Sequence, residues 1–259
     1  MDAIVVNALG RRIFVDTSDG RGRNLAAAGG DLNPNSLALW NTALGLRPWD
    51  VVADVGSNYG EMLVSAHVPT RSKIVAFEPN PHVLPFLKKT IAASGLSVDL
   101  REKAVGAKAD AAVSFVADDE WSGTSTLGVR LGGDAAHHRL STFEVPLSSL
   151  DLEFADESVD TTYCIKVDVE GHEHEVLEGA ERLLGRAPAW ALMVEVLHMS
   201  PFAVSELARK FPLYLMDTRT GGLVRCPGGN ASLTKNLLHS GWLYGQDALL
   251  VSSTDMVRS

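Results

Sequence analysis

Five short apolar runs alternate with helical patterns between residues 51 and 211, and each run has about the length of a β-strand. The runs are VVADV (51–55), KIVAF (73–77), the segment 98–105, YCIKVDV (163–169) and WALMVEV (190–196). They lack the polar alternation of a strand that has one face in water, so both faces must be covered. Strands that alternate with helices in this way predict a doubly wound α/β fold with a mostly parallel sheet.

Helical periodicity fills the segments between these runs. The predicted helices cover 36–46, 61–67, 81–93, 172–184 and about 202–211, and further strands are predicted at 111–117, 143–147, 213–217 and 248–252. Two segments near the beginning of the chain, 19–23 and 29–35, are rich in Gly, Pro and Asn and are predicted to be turns.

The regular pattern begins at residue 51, which divides the chain into two parts. Residues 1–50 are predicted to form an N-terminal extension or cap, and 51–259 one nucleoside-binding domain. Within this domain, residues 118–142 are rich in Gly, Ser and Thr. They are predicted to form a lid insertion, because loops on α/β scaffolds carry binding residues.

Composition excludes several classes of protein and partner. Apolar residues make up 46% of the 259 residues, which is ample for a packed core. The formal net charge of −9 disfavours a nucleic-acid partner, since a phosphate backbone repels an acidic chain. Two cysteines form no disulfide framework, and no apolar stretch is long enough to span a bilayer. A cytoplasmic protein without a membrane partner is expected, and a homo-oligomer stays open.

The clearest ligand signal is the turn after the first run, Asp54-Val-Gly-Ser-Asn-Tyr-Gly60. Glycines let the backbone approach a ligand closely, and the helix that follows offers free N–H donors. Glu78 closes the second run, where nucleotide-binding sheets place an acid that accepts hydrogen bonds from ribose hydroxyls. Together these features predict a nucleoside site. The alternative is a purely structural turn and a solvated Glu78.

The glycine spacing favours a nucleoside that has no diphosphate. A dinucleotide fold needs Gly-x-Gly-x-x-Gly against the pyrophosphate, whereas this turn offers only Gly56 and Gly60. S-adenosylmethionine is such a ligand. A nicotinamide oxidoreductase and a nucleoside-binding module without catalysis are the alternatives.

A second polar cluster, Lys166-Val-Asp-Val-Glu-Gly-His172, follows the fourth run. Charges on a strand covered on both faces are costly unless they are paired or lie at its open end. Asp168 and Glu170 are therefore predicted at the carboxyl end of the strand, beside the nucleoside. His172 begins the next helix and is the candidate general base, while Asp168 or Glu170 orients its ring or binds a substrate hydroxyl.

The histidines also have other interpretations. His172 can simply bond to the backbone at the helix start. A metal site is not predicted, because the His-Glu-x-x-His spacing is absent and His172 and His174 point apart on a helix. Oxygen and imidazole groups do suit Mg²⁺ or Mn²⁺, so a divalent metal stays open without being expected. His137 and His138, in the lid, are reserve candidates for the base.

Several motifs in this order resemble the FkbM family of S-adenosylmethionine-dependent methyltransferases. They are VVADVGSNYGEM (51–62), VAFEPNP (75–81), KAVG (103–106), GTSTL (123–127), VPLSSLD (145–151), IKVDVEGHEHEVLEGA (165–180), VEV (194–196) and LLVSS (249–253). The resemblance covers about residues 33–253.

The resemblance implies a Rossmann-like class I methyltransferase sheet of seven strands, in which the strand nearest the C-terminus runs antiparallel. It implies that the turn 54–60 holds the methionine part of S-adenosylmethionine, Glu78 its ribose and Ala104 its adenine. The candidate cofactor-binding residues are Asp54, Gly56, Ser57, Asn58, Gly60, Glu78, Pro79, Asn80, Ala104 and Asp168. Family members mostly methylate hydroxyl groups of sugars or polyketide-type natural products, and some relatives methylate peptide carboxylates.

These observations converge on an S-adenosylmethionine-dependent O-methyltransferase that acts on a hydroxyl of a small molecule in a biosynthetic pathway. His172, Asp168 and Glu170 are the candidate catalytic residues. The alternatives are a carboxylate O-methyltransferase and a nucleoside-binding module without catalysis.

Overall fold

The computed structural model describes residues 2–128 and 139–257. The reserve candidates His137 and His138 lie outside the described residues. The strands are β1 (Asp2–Val6), β2 (Arg12–Asp16), β3 (Val51–Val55), β4 (Lys73–Phe77), β5 (Val98–Arg101), β6 (Ala104–Val105), β7 (Asp110–Asp118), β8 (Thr126–Leu127), β9 (Leu140–Ser148), β10 (Tyr163–Val167), β11 (Trp190–Glu195), β12 (Leu213–Asp217), β13 (Leu223–Cys226) and β14 (Leu243–Val251). The helices are α1 (Gly20–Ala27), α2 (Pro34–Gly45), α3 (Glu61–Ser65), α4 (Leu84–Ser94), α5 (Leu150–Glu153), α6 (Glu173–Glu178), α7 (Glu181–Arg186), α8 (Pro201–Lys210) and α9 (Ala231–Leu238), with 3₁₀ turns at Ser122–Thr124 and Thr254–Val257.

The central sheet confirms the predicted α/β class. Its strand order is β13-β12-β14-β11-β10-β3-β4-β5, and the five strands from β11 to β5 run parallel. The last strand, β14, lies antiparallel between β11 and β12, as the resemblance implied. Over the described residues the sheet has eight strands and not seven, because β13 adds an antiparallel edge to β12.

Both faces of this sheet are buried, which explains the uninterrupted apolar runs. In β3, Val51, Ala53 and Val55 face a core shared with helices α6, α7 and α8. Val52, which lies between Val51 and Ala53, faces a second core on the opposite side of the sheet. Alternate residues of a strand therefore pack into different helical layers, and the carboxyl ends of β3, β4 and β10 meet at one edge.

The predicted extension, residues 1–50, joins the main fold. In α2, Leu39, Trp40 and Ala43 are fully buried in the same core as Val52. This helix thus supplies part of the layer that covers one face of the sheet, and a boundary at residue 50 does not separate it from the core. The division of the chain into domains stays a prediction.

The predicted turn at 19–23 is wrong, because the chain forms α1 there. The Asp19 side chain caps this helix by accepting from the Arg21 and Gly22 backbone N–H groups. Glycines disfavour helices in isolation, but tertiary packing requires them here. A Cβ atom built on Gly22 would lie 2.1 Å from the Asp16 carbonyl oxygen.

The segment between the third and fourth runs forms a second sheet with the order β6-β9-β7-β8. The expected third run at 98–105 splits between the two sheets, since β5 belongs to the first and β6 to the second. The predicted lid 118–142 includes the 3₁₀ turn at Ser122–Thr124 and strand β8. The lid also includes the beginning of β9.

The helix predicted at 172–184 is two helices, α6 and α7, which meet at Gly179. A Cβ atom on Gly179 would lie 2.0 Å from the Gly106 carbonyl oxygen, so the chain needs glycine at this close approach. Among the described residues, no helix has the length and apolar composition needed to cross a membrane.

Two glycines in the left-handed conformation provide a test of how closely the turn after β3 packs against the backbone after β10. Gly56 has φ 83°, and a Cβ atom on it would lie 1.8 Å from the Asp168 carbonyl oxygen, whereas Gly95 has φ 75° and open space around it. We expect Gly95→Ala to cost about 1–2 kcal/mol of unfolding free energy from backbone strain alone. Gly56→Ala adds an overpacking cost on the order of 1–3 kcal/mol.

Urea unfolding of the two variants measures this difference. An equal loss of stability would mean that the contact between the turn and β10 is not as close as described.

Candidate active site

A first cavity lies at the carboxyl ends of β3, β4 and β10. Its lining residues are Arg21, Val55, Gly56, Asn58, Phe77, Glu78, Pro79, Lys103, Ala104, Val105, Phe115, Ser122, Gly123, Ser125, Thr126, Leu127, Asp168, Val169 and Glu170. Crevices at this edge of an open α/β sheet are where such folds bind ligands.

The turn after β3 forms one wall of the first cavity. The backbone N–H groups of Gly56 and Ser57 both donate to the Phe77 carbonyl oxygen at 3.0 Å, which ties the end of β3 to β4. Asn58 holds φ 47° although it is not glycine. Gly60, with φ 81°, is the N-cap of α3. The turn therefore presents backbone, with little side-chain bulk, to a ligand.

Glu78 is held at the floor of the first cavity by two backbone donors. Asn58 N–H donates to its Oε2 at 2.7 Å, and Asn80 N–H donates to its Oε1 at 2.8 Å. Each oxygen keeps a further lone pair, so the carboxylate can also accept from two neighbouring hydroxyl groups. Burial raises the pKa of Glu78 to about 7 despite these donors.

A buried cation joins the ends of β3 and β10. Lys166 Nζ lies 3.3 Å from Asp54 Oδ1 and 3.3 Å from Asp168 Oδ2. Burial works against charge on all three groups, and their mutual attraction compensates. The neighbouring Lys166 and Arg21 charges outweigh that burial for Asp168 and hold its pKa below the usual range.

The roof of the first cavity depends on one carboxylate, that of Asp19. It accepts from the Tyr59 hydroxyl at 2.7 Å and from the Ser122 hydroxyl and backbone N–H at 2.7 and 2.8 Å. It also caps α1. The N-terminal segment, the turn after β3 and the 3₁₀ turn are thus fastened together above the sheet.

A second cavity opens beside the first, under α1 and α2. The two cavities share Arg21, Gly123, Asp168 and Glu170. The charged and titratable residues lining the second cavity are Arg21, Asp31, Glu61, Lys166, Asp168, Glu170, Glu195, His198 and Asp247.

Strand register places these acids on one face of the sheet. Glu195 of β11 pairs with Asp247 of β14, and Lys166 of β10 pairs with Asp54 of β3. Burial is the main cause that raises the pKa of Glu170 to about 8, of Glu195 to about 10 and of Asp247 to about 6; the nearby Asp168 charge adds to each.

The structure brings two of the three candidate catalytic residues to the junction of the cavities. Asp168 and Glu170 line both, and Glu170 is held there with φ 57°. The His172 ring instead donates a hydrogen bond from Nε2 to the Leu127 carbonyl oxygen at 2.9 Å. His172 is the N-cap residue of α6 but makes no side-chain cap bond, and it is absent from the described lining of both cavities. Its role as the base stays a prediction.

The candidate cofactor-binding residues separate into two groups. Gly56, Asn58, Glu78, Pro79, Ala104 and Asp168 line the first cavity. Asp54, Ser57, Gly60 and Asn80 lie behind this lining and hold it in position. For example, Ser57 Oγ donates to the Asp54 carbonyl oxygen, and Asn80 Nδ2 donates to Ser125 Oγ. Whether the first group binds a cofactor stays a prediction.

Sequence reasoning missed the residues that separate elements bring to the second cavity. Arg21 comes from α1, Glu195 and His198 from β11 and the loop after it, and Asp247 from β14. The VEV motif marked Glu195 as part of a pattern but gave it no role. Only the strand order shows that these positions meet.

One group of side chains among the described residues has the composition of a metal site. Glu170, Glu195 and His198 each offer a ligand atom, and these atoms lie within 4.8 Å of one another. His198 Nε2 is 3.4 Å from Glu170 Oε2 and 3.7 Å from Glu195 Oε2. The sequence prediction, which assigns no metal ligands, stays a prediction.

A family model described as the Methyltransferase FkbM domain matches residues 50–215. Among solved structures, a precorrin-6y C5,15-methyltransferase from Geobacter metallireducens GS-15 is 13% identical, with 83% of this chain and 84% of that chain covered and a TM-score of 0.41. The O-methyltransferase TomG from Streptomyces achromogenes, in complex with SAM, is 8% identical, with 92% and 90% covered and a TM-score of 0.41.

An rRNA methylase from Streptococcus thermophilus is 13% identical, with 83% of this chain and 92% of that chain covered and a TM-score of 0.37. No curated protein matches the sequence significantly.

The first cavity fits the adenosine part of S-adenosylmethionine. The free lone pairs of Glu78 suit the two ribose hydroxyls, and Ala104, Val105 and Phe115 supply an apolar wall for a base. Gly56 leaves room that a Cβ atom would fill.

We expect the affinity for S-adenosylhomocysteine to depend on the ionisation of Glu78. Ribose hydroxyls donate to the ionised carboxylate, and protonation removes one acceptor. With a pKa of about 7 in the free protein, the dissociation constant should fall about tenfold between pH 6 and pH 8. Glu78→Gln should bind more weakly, and its affinity should lack this component of the pH dependence.

Calorimetric titration of both proteins across this range makes the comparison. The same pH dependence in the wild type and in Glu78→Gln would rule out Glu78 as the ribose acceptor.

Proposed function

The chain belongs to the FkbM methyltransferase family, and on that premise we propose that it is an O-methyltransferase acting on a hydroxyl group of a small molecule. S-adenosylmethionine is its methyl donor. The observation that carries the proposal is the junction of the two cavities, where Asp168 and Glu170 lie between the donor side and an open second cavity.

The donor supplies, when bound, a methyl group attached to a positively charged sulfur. An oxygen nucleophile can attack this methyl group, and the sulfur then leaves as a neutral thioether. In the proposed arrangement Glu78 holds its ribose, the turn after β3 holds its methionine part, and Ala104 lies against its adenine. In such a displacement the protein mainly aligns the two reactants and excludes water.

Asp168 is suited to hold the acceptor hydroxyl. Lys166 lies 3.3 Å from one of its oxygens and keeps the carboxylate ionised, so it accepts hydrogen bonds at neutral pH. Because it lines both cavities, a hydroxyl that donates to it is placed at the boundary with the donor side.

Glu170 is suited to take the hydroxyl proton. Burial raises its pKa to about 8, so its ionised form is a stronger base than an ordinary carboxylate and predominates above that pH. His198 Nε2 lies 3.4 Å from Glu170 Oε2, and the His198 side chain is 46% exposed, so the imidazole can pass the proton to solvent. Glu170 and His198 replace His172 in this role.

The same junction favours a hydroxyl over a carboxylate acceptor. A carboxylate would enter against the ionised Asp168 and would be repelled, whereas a hydroxyl can donate to it. Among the described lining residues of the second cavity, the permanent cations are Arg21 and Lys166, and both already pair with carboxylates of the protein. Carboxylate O-methylation and nucleoside binding without catalysis are therefore the weaker candidates.

A methyl-transfer screen tests the proposal. The protein is incubated with isotopically labelled S-adenosylmethionine and matched pairs of polyols and carboxylic acids, and the labelled products are identified by mass spectrometry. We expect ether products from hydroxyl compounds. Ester products alone would support the carboxylate alternative, and tight cofactor binding without any transfer would support the binding module.

Substitution of Glu170 tests the proton acceptor. Glu170→Gln should lower turnover about 10²-fold or more, because a general base contributes on this order, while the affinity for S-adenosylhomocysteine changes little. His172→Ala is the matched control, since His172 lies outside both cavities, and it should keep turnover within about threefold. A large loss in His172→Ala with normal activity in Glu170→Gln would restore His172 as the base.

A further inference from the structure

We propose that the acceptor carries one or more ammonium groups, and that the second cavity is an amine-binding site. This inference rests on the proposed function, because it identifies the second cavity as the place of the acceptor. It narrows the acceptor to hydroxyl compounds that carry basic amines, such as amino sugars and amine-bearing natural products.

The first argument is the charge of the second cavity. Six of its described lining residues are acids: Asp31, Glu61, Asp168, Glu170, Glu195 and Asp247. Its permanent cations among the described residues are Arg21 and Lys166. Both are already neutralised, since Arg21 pairs with Glu61 at 2.5 Å and Lys166 lies between Asp54 and Asp168.

Four carboxyl groups remain without a permanent cation. Over the described residues, no Lys or Arg nitrogen lies within 4 Å of Asp31, Glu170, Glu195 or Asp247. Glu170 and Glu195 share His198, and Asp247 receives the Ser36 hydroxyl at 2.5 Å. Ionisation of carboxyl groups concentrated in this way is costly, which raises their pKa values, and a bound cation would offset that cost and favour the ionised forms.

The second argument is independent of this charge count. Two carboxylate oxygens of the cavity walls, Glu61 Oε2 and Glu195 Oε2, are buried from solvent and have no hydrogen-bond donor among the described residues. Glu61 is only 5% exposed. Buried polar atoms are nearly always satisfied, so each unsatisfied oxygen indicates a missing donor. An ammonium group offers three donors and a positive charge.

The position of these groups links amine binding to methyl transfer. Glu170 lines both cavities, and Glu195 and Asp247 lie deeper along the same sheet face on the neighbouring strands β11 and β14. An acceptor anchored through an ammonium group on Glu195 and Asp247 would present a hydroxyl toward Asp168 and Glu170. Phosphorylated and carboxylated acceptors would be excluded by the same charges.

Calorimetry on the protein saturated with S-adenosylhomocysteine tests the inference. The probes are spermidine and kanamycin A, each compared with its fully N-acetylated form, which keeps the skeleton and loses the charge. We expect the amines to bind at least about tenfold more tightly than the acetylated forms, equivalent to about 1.4 kcal/mol.

Two variants locate the binding. Glu195→Gln combined with Asp247→Asn should abolish the preference for the amine while S-adenosylhomocysteine still binds. Glu144→Gln changes an exposed acid outside the second cavity and should leave the preference intact.

The outcomes separate this inference from the proposed function. Equal binding of amines and acetylated forms, or no binding of either amine at millimolar concentration, overturns the amine site while a normal affinity for S-adenosylhomocysteine preserves the proposed function. Saturable Mn²⁺ binding without amine binding overturns it in favour of a metal on Glu170, Glu195 and His198. Failure to bind S-adenosylhomocysteine contradicts the proposed function itself.

Discussion

Both cavities depend on one buried interaction, the pairing of Lys166 with Asp54 and Asp168. The lysine lies on β10 and holds the end of β3 on one side and the loop after β10 on the other. Buried charges are tolerated only when their partners are in place, so the three residues fix each other's positions. Because Gly56 packs directly against the Asp168 backbone, the turn that would hold the donor and the carboxylate that would hold the acceptor are set by the same contact.

The acidic residues beside this pairing, in contrast, lack a permanent cation as partner in the part of the chain that the structure describes. Lys166 is compensated within the protein, whereas Glu170, Glu195 and Asp247 face one another with raised pKa values. Burial of these groups lowers the stability of the folded protein, since apolar residues of similar volume pack at lower cost. Their arrangement is explained by a ligand that completes it.

The sequence predicted the elements of the fold better than the places where distant elements meet. A short apolar run covered on both faces can be recognised from the local sequence alone. The predicted bounds of four strands therefore agree with the observed ones to within about two residues: β3, β4, β10 and β11. The proximity of the turn after β3 to Glu78 was also predictable, because the two follow neighbouring strands. Helix α1 was missed, since Gly20 and Gly22 resemble turn residues and only contacts with the 3₁₀ region and Asp16 make them helical.

The second cavity is the clearest example of a site that could not be predicted from the sequence. Its acids come from β11, β14, α3 and the loops after β10 and α1, and its roof comes from α1 and α2, so no local spacing connects them. The environment of His172 could not be predicted for a related reason. A histidine at a helix start beside a carboxylate cluster has the right neighbours in sequence, but the orientation of its ring is decided by the Leu127 carbonyl on a different sheet.

The fastening of three segments on Asp19 has a consequence for how such a chain diversifies. The floor of the site is built from strands inside the matched region 50–215, while α1 and Arg21 precede that region and Asp247 follows it. Mutations that reshape the roof can therefore accumulate without disturbing the strand ends that would grip the donor. Recognition of new acceptors can evolve in the N-terminal segment at a different pace from the transfer chemistry, provided that the single carboxylate anchoring this segment is retained.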